Sequence, residues 1–335
     1  MSGDAHKLGG SSFAQTQNKI GNECPTIVAS SAFAKAFTAI QSLIKSGKVL
    51  AGHDVASGGL ITTLLEMCFP SQNVGMELDL AAVGHDMVKV LFSENAGIVL
   101  QAKDDSIESV FESNAIDAVK LGTVSNEAVL TIKNNGMEMG LNVETLRDTW
   151  FKTSYLLDNQ QTANGLAKDR FENYKVQPLQ YTFPSSTPLT LPSRALNTGE
   201  SRPKAAILRE KGSNSEREMA NAMYLAGFDV KDVHMTDLIS GRETLEDIQF
   251  LGAVGGFSNS DVLGSAKGWA GAIKYNETAN KVIKNFFERE DTLSVGICNG
   301  CQLFMELEVI NPDHEVHGKL LHNNSQKHES AFTSV

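Results

Sequence analysis

The chain has 335 residues, 41% of them hydrophobic and 21% charged, a balance that suits two globular domains with real cores and not a disordered or fibrous chain. A net charge of −11 with no run of Lys or Arg argues against a nucleic-acid or anionic-membrane partner, since either needs a basic patch. Four scattered cysteines, no apolar segment behind a basic start and no apolar run of membrane-spanning length give the expectation of a reducing cytoplasm and no membrane.

In chain order, Gly9-Gly10-Ser11-Ser12 ahead of Phe13, Ala14, Gln17 and Ile20 predicts a loop feeding a capped helix. Such a place can hold a phosphate but usually only starts a helix. A second helix is expected over residues 30–46, with Phe33, Phe37, Ile40, Leu43 and Ile44 on one face and Gly47 as its stop. From Val49 a strand runs into His53-Asp54, a turn follows through Ala56, Ser57, Gly58 and Gly59, and a helix continues to Cys68. A carboxylate at a strand end beside bare glycine backbone can hold Mg²⁺ and admit a nucleotide phosphate, or it can simply cap the turn. His53 is read as a hydrogen-bonded structural histidine.

Residues 72–102 suggest two strands around a helix, followed by a helix at 106–113 and strands at 120–124 and 128–132, which together make an α+β unit. Asn134-Asn135-Gly136 marks a hairpin or strand exit, and a helical tail covers 143–159. Between about 172 and 202 Pro, Ser and Thr accumulate, as in an extended linker. The pattern then turns βαβ. Strands are expected at 205–208, 228–234 and 250–254, helices from Asn214 to Gly227 and over 277–290, and a short loop or turn at 236–240. Alternating strands and helices predict a parallel, doubly wound sheet whose ligands lie beyond the strands' carboxyl ends, where Gly256 and Cys298 fall.

The densest signal is Gly296-Ile297-Cys298-Asn299-Gly300-Cys301-Gln302. An apolar run, Leu293 to Ile297, reads as a short buried strand, and a helix begins near Gly300. Cys298 therefore lies at the strand-to-helix turn, where free N–H groups and the helix dipole favour a thiolate and receive an oxyanion. A buried hydrophobic Cys, a redox Cys-x-x-Cys pair and half a zinc site are the alternatives. Flanking glycines and Gln302 favour the nucleophile, and Cys24 and Cys68 offer no matching zinc ligands.

This pattern resembles the nucleophile elbow of class I glutamine amidotransferases. With Leu8-Gly9-Gly10-Ser11-Ser12-Phe13-Ala14-Gln15, Gly52-His53-Asp54, Phe92-Ser93-Glu94, Leu208 to Asn214, Gly255-Gly256-Phe257-Ser258, Asp261 to Gly264 and Gly268-Trp269-Ala270, it resembles the C-terminal half of the large, single-chain phosphoribosylformylglycinamidine synthases of purine biosynthesis. The resemblance implies an α+β domain like the C-terminal domain of aminoimidazole-ribonucleotide synthetase at 1–170, a linker at 171–202 and an incomplete α/β glutaminase domain at 203–335. It implies an ATP-dependent ligase that converts formylglycinamide ribonucleotide and glutamine to formylglycinamidine ribonucleotide, this segment releasing ammonia from glutamine through a Cys298 thioester.

By the same resemblance, Gly256, Phe257 and Asn299 supply oxyanion N–H groups and Gln302 contacts the glutamine backbone. An auxiliary ATP or ADP with Mg²⁺ would lie at Asp54 and Ala56, Asp54 being the metal ligand. The sequence departs from the family pattern at Ala56 and Ser57, where many members carry Ser and Asp, and at Ser260, where the family has Gly. The Ser260 change matters only if that position needs a positive φ. The family's base and orienting carboxylate form a His-x-Glu beyond the elbow. No histidine here shows that spacing, and His314-Glu315 and His328-Glu329 read as loop residues. The chain is thus expected to be an internal fragment, ending inside a strand, with negligible glutaminase turnover alone. The competing readings are a catalytically incomplete binding or regulatory module and another cysteine hydrolase of the same fold.

Overall fold

The computed structural model describes residues 5–176, 182 and 201–331. The chain forms two compact units, 1–178 with 324–327, and 179–323 with 328–335. Most of the expected linker, and the terminal stretch expected within a strand, lie outside the described residues.

The first unit contains α1 (Ser12–Thr16), α2 (Ser30–Lys45), β1 (Val49–Asp54), α3 (Gly59–Cys68), β2 (Gly75–Asp79), α4 (Met87–Phe92), β3 (Ile98–Ala102), α5 (Ser106–Ser113), β4 (Gly122–Ser125), β5 (Val129–Asn134), β6 (Met137–Asn142), α6 (Val143–Gln161) and α7 (Leu166–Asn173). A mixed sheet runs β4-β2-β5-β6, and β1 pairs antiparallel with β3. The core lies where α3, with Leu64 and Cys68, covers Met76 and Leu78 of β2 and Leu130 and Ile132 of β5. The β5–β6 hairpin turns through Asn135 at φ 48° and Gly136 at φ 86°, the two left-handed residues that match a tight turn to strand twist.

Two expectations in this unit need correction. The buried residues of α2 are Ala36, Ala39, Ile40 and Leu43, while Phe37 and Ile44 are exposed. Ile40 and Leu43 face the core as expected, and beside them the small alanines, not Phe37 and Ile44, let the helix approach its neighbours. The linker does not begin at 171, because α7 runs on to Asn173 and Tyr174 stacks on Phe151 at 4.1 Å. Tyr174 also donates to Asp148 at 2.6 Å. Partial burial and that carboxylate push its phenol up to about 12.

The second unit contains β7 (Lys204–Arg209), β8 (Ser213–Asn214), α8 (Glu216–Leu225), β9 (Asp229–His234), α9 (Met235–Ile239), β10 (Phe250–Ala253), β11 (Gly255–Gly256), α10 (Lys267–Lys274), α11 (Glu277–Phe287), β12 (Leu293–Gly296) and α12 (Asn299–Glu306). Its sheet, β12-β10-β7-β9, is parallel throughout. All four strands therefore end on one edge, and the connections reverse direction between β7 and β10, where doubly wound sheets open a crevice. Trp269, Phe286, Leu251 and Ile207 fill the core.

This unit also departs from expectation at α9, β12 and α10. Residues 236–240, expected as a loop, belong mostly to α9, which a box between the His234 and Asp237 side chains and the backbone starts. The strand β12 is not buried. It is an edge of the sheet, and Leu293 is 72% exposed. Helix α10 had no counterpart in the sequence reading, since Gly268 and Gly271 lower its propensity and only the burial of Trp269, Ala270 and Ile273 secures it.

Candidate active site at the Cys298 turn

At the end of β12 the chain turns within two residues into α12, and Cys298 occupies the N-cap with φ 53° and ψ −109°. A non-glycine residue in such a conformation costs on the order of 1–3 kcal/mol and persists only where its surroundings impose it. Those surroundings are bare backbone. A Cβ on Gly300 would lie 2.1 Å from the Ala253 carbonyl oxygen, and one on Gly296 would lie 2.7 Å from the Cys301 nitrogen. On Gly255 it would stand 3.2 Å from the Cβ and 3.9 Å from the Sγ of Cys298. The three glycines let β10, β12 and α12 close around a cysteine that is itself exposed. Among the described residues no hydrogen bond reaches its thiol.

The loops after β7 and β10 form the adjoining wall. Gly255 and Gly256 pair with Asn214 and Ser213, Phe257 N–H donates to the Gly212 carbonyl at 3.0 Å, and Asn259 N–H to that of Lys211 at 2.9 Å. The expectation that Phe257 offers a free N–H to an oxyanion is therefore not met here, because Gly212 already takes that donor. Asn299 N–H, in contrast, opens α12 and has no partner among the described residues. Ser260 has φ 56°, with Asn259 at 53° and Asp261 at 49°. This position does require the left-handed conformation, so serine in place of glycine carries a cost.

The side chain of Asn299 joins this loop to the helix, a connection that sequence spacing did not signal. Asn299 is buried and accepts the Ser258 hydroxyl at 2.6 Å. Its Nδ2 donates to Asp261 Oδ1 at 3.3 Å and to Gln302 Oε1 at 3.2 Å. Gln302 stands one turn beyond Cys298, whose carbonyl accepts its backbone N–H at 3.1 Å. His314 and His328 lie exposed in irregular backbone, as expected.

In the first unit, Asp54 ends β1 with its carboxylate 79% exposed. Its backbone carbonyl accepts from Thr63 Oγ1 at 3.1 Å and from His53 Nδ1 at 2.7 Å, and His53 Nε2 lies 3.1 Å from Glu66, which holds the imidazole in a structural place. The following turn leaves the Ala56 and Ser57 N–H groups without partners among the described residues, while Gly58 N–H donates to Glu94 Oε1 at 2.9 Å. The same oxygen accepts Ser12 N–H at 2.8 Å. One carboxylate thus bridges both glycine-rich loops. Partial burial opposes its charge, but the bonds from Ser12 and Gly58 outweigh that and hold Glu94 below the usual carboxylate range. Among the described residues no three His, Cys, Asp or Glu side chains gather as a metal cage. A single exposed carboxylate fits only a Mg²⁺ held mainly by phosphate and water.

Two family descriptions match the chain, the C-terminal domain of AIR synthase related proteins over residues 1–133 and the CobB/CobQ-like glutamine amidotransferase domain over 202–335. A probable phosphoribosylformylglycinamidine synthase, chloroplastic/mitochondrial, of Arabidopsis thaliana is 38% identical over 98% of this chain and 24% of its own length. Over nearly all of its own length the chain is similar to the phosphoribosylformylglycinamidine synthases. The Homo sapiens phosphoribosylformylglycinamidine synthase is 36% identical over the whole chain and 26% of its own length, so this chain spans about a quarter of the relatives it matches. A solved structure of PurLQS from Thermotoga maritima is 28% identical, covering 37% of this chain and 50% of that one, with a TM-score of 0.30, too low to speak to the fold. The elbow around Cys298 lies inside the amidotransferase match, and Asp54 inside the AIR synthase related one.

Proposed function

We propose that the chain is the glutaminase and adjoining nucleotide-holding part of an ATP-dependent ligase that makes formylglycinamidine ribonucleotide from formylglycinamide ribonucleotide and glutamine. The observation that carries this reading is the exposed, backbone-strained Cys298 at the α12 N-cap, within a chain similar to these synthases over nearly its full length. The Sγ adds to the side-chain amide carbon of glutamine and the electron pair moves to oxygen, which the unpartnered Asn299 N–H would receive. Collapse breaks the C–N bond, the nitrogen leaves as ammonia with the proton that the thiol gave up, and water then cleaves the thioester to glutamate and the free thiol. Gly256 and Phe257 line the same wall, and the Phe257 N–H would join the oxyanion site only if its bond to Gly212 opened.

In the first unit, the free Ala56 and Ser57 N–H groups and bare glycine backbone support a nucleotide phosphate, with Asp54 as the protein ligand to its Mg²⁺. The metal would neutralise phosphate charge there. The decisive measurement is made in a synthase carrying this segment, where Cys298→Ala should abolish glutamine-dependent synthesis and spare synthesis from ammonium salts. Loss of both in a folded variant would sink the division of labour.

A further inference from the structure

The buried amide of Asn299 can point only one way. Asp261 carries oxygen acceptors and no donor when ionised, so the Asn299 group facing it at 3.3 Å is the NH₂ end. The Oδ1 then faces Ser258, whose hydroxyl donates at 2.6 Å. The remaining Nδ2 hydrogen goes to Gln302 at 3.2 Å, which makes the Gln302 atom at that contact its oxygen. The Gln302 NH₂ group is left with no partner among the described residues. Residues four apart share a helix face, so those two donors stand on the side of α12 that carries Cys298.

We infer that Asp261 is a positioning residue which, through Asn299, fixes the Gln302 amide with its donor end toward the substrate. The group that Gln302 takes is then an anionic carboxylate, the α-carboxylate of the amino acid whose side chain meets Cys298. This rests on the glutaminase reading and adds to it the direction of the contact and the residue that sets it. Without the Asp261 charge both amides are free to turn over, and an inverted Gln302 would present oxygen to a carboxylate.

The test is protection of Cys298 from iodoacetamide in the full chain, read by peptide mapping, with each variant's ligand-free rate as its own reference. L-Glutamine is compared with L-glutaminamide, which lacks the α-carboxylate charge. In the wild type glutamine should protect at least tenfold more tightly. In Asp261→Asn, protection by glutamine should weaken about tenfold and the preference should narrow to within threefold. Ser258→Ala removes a hydroxyl but leaves the Asp261–Asn299–Gln302 direction intact, and should keep the preference. General loosening would weaken both ligands equally and leave their ratio unchanged, so a ratio that survives in Asp261→Asn overturns the inference. No protection of the wild type by either ligand would overturn the glutaminase reading together with it.

Discussion

Ser260 stands among three consecutive left-handed residues in the wall of the Cys298 site. An L-residue with a Cβ costs about 1–2 kcal/mol in that region, partly recovered because serine also restricts the unfolded chain more than glycine. Ser260→Gly should therefore stabilise the second unit by roughly 0.5–1 kcal/mol, and Ser260→Val should destabilise it, both measured by chemical denaturation. The cysteines divide just as plainly. Cys68 is buried on α3, and desolvation pushes its thiol up to about 11, whereas Cys24, Cys298 and Cys301 are exposed. With limiting iodoacetamide near neutral pH, mapping should find Cys298 alkylated first, because it is the exposed N-cap residue of α12, next to the free Asn299 N–H. Cys68 should react only once denaturant is added. Faster alkylation of Cys301 would contradict the elbow geometry.

Among the elements, the turn from β12 into α12 depends on absent side chains. Gly300→Ala would drive a methyl group into the Ala253 carbonyl at 2.1 Å and should cost about 3 kcal/mol or more, because the obstacle is backbone. The loops at the N-termini of α1 and α3 depend instead on Glu94, whose carboxylate is held below its ordinary range. A depressed folded value means that the unfolded chain binds the proton first as pH falls. The contribution of Glu94 is thus complete above about pH 4.3, the unfolded value, and is lost as pH drops through the lower folded value. Acid unfolding of the first unit should show a shallower pH dependence in Glu94→Gln, followed by circular dichroism between about pH 5 and 2.

Much of this was legible in the sequence, since the elbow, the α3 turn, the hairpin and the βαβ rhythm are local patterns in which glycine, alternation and caps act at fixed spacing. Helix α10 was not, because its two glycines argue against a helix until the pocket for Trp269 is seen. Nor was the Ser258–Asn299–Asp261 network, which joins residues about forty positions apart through a tertiary contact that no periodicity encodes. The demand for positive φ at Ser260 was posed by the sequence as a condition, and only backbone geometry could answer it.

At the scale of the whole molecule, the two units are not simply consecutive. Residues 324–327 belong to the first unit. Ser325 is buried there, its carbonyl accepts Ala163 N–H at 3.0 Å, Asn164 donates to the Asn324 carbonyl at 3.1 Å, and Lys327 pairs with Asp158. Ser325→Asp would place a charge in that buried position and should release the segment. Amide exchange at Ala163 should then quicken at least tenfold while exchange in β5 stays slow.

That return of the chain also sets a clock on biosynthesis. The first unit has been synthesised almost whole once residue 178 is made, yet its last piece begins at residue 324. At about 5–20 residues per second, a ribosome needs on the order of ten seconds to cover that interval. Throughout it the surface that receives Ser325 stands open to chaperones, proteases and other nascent chains, and all the sheet strands of the second unit are synthesised before the residues that complete the first.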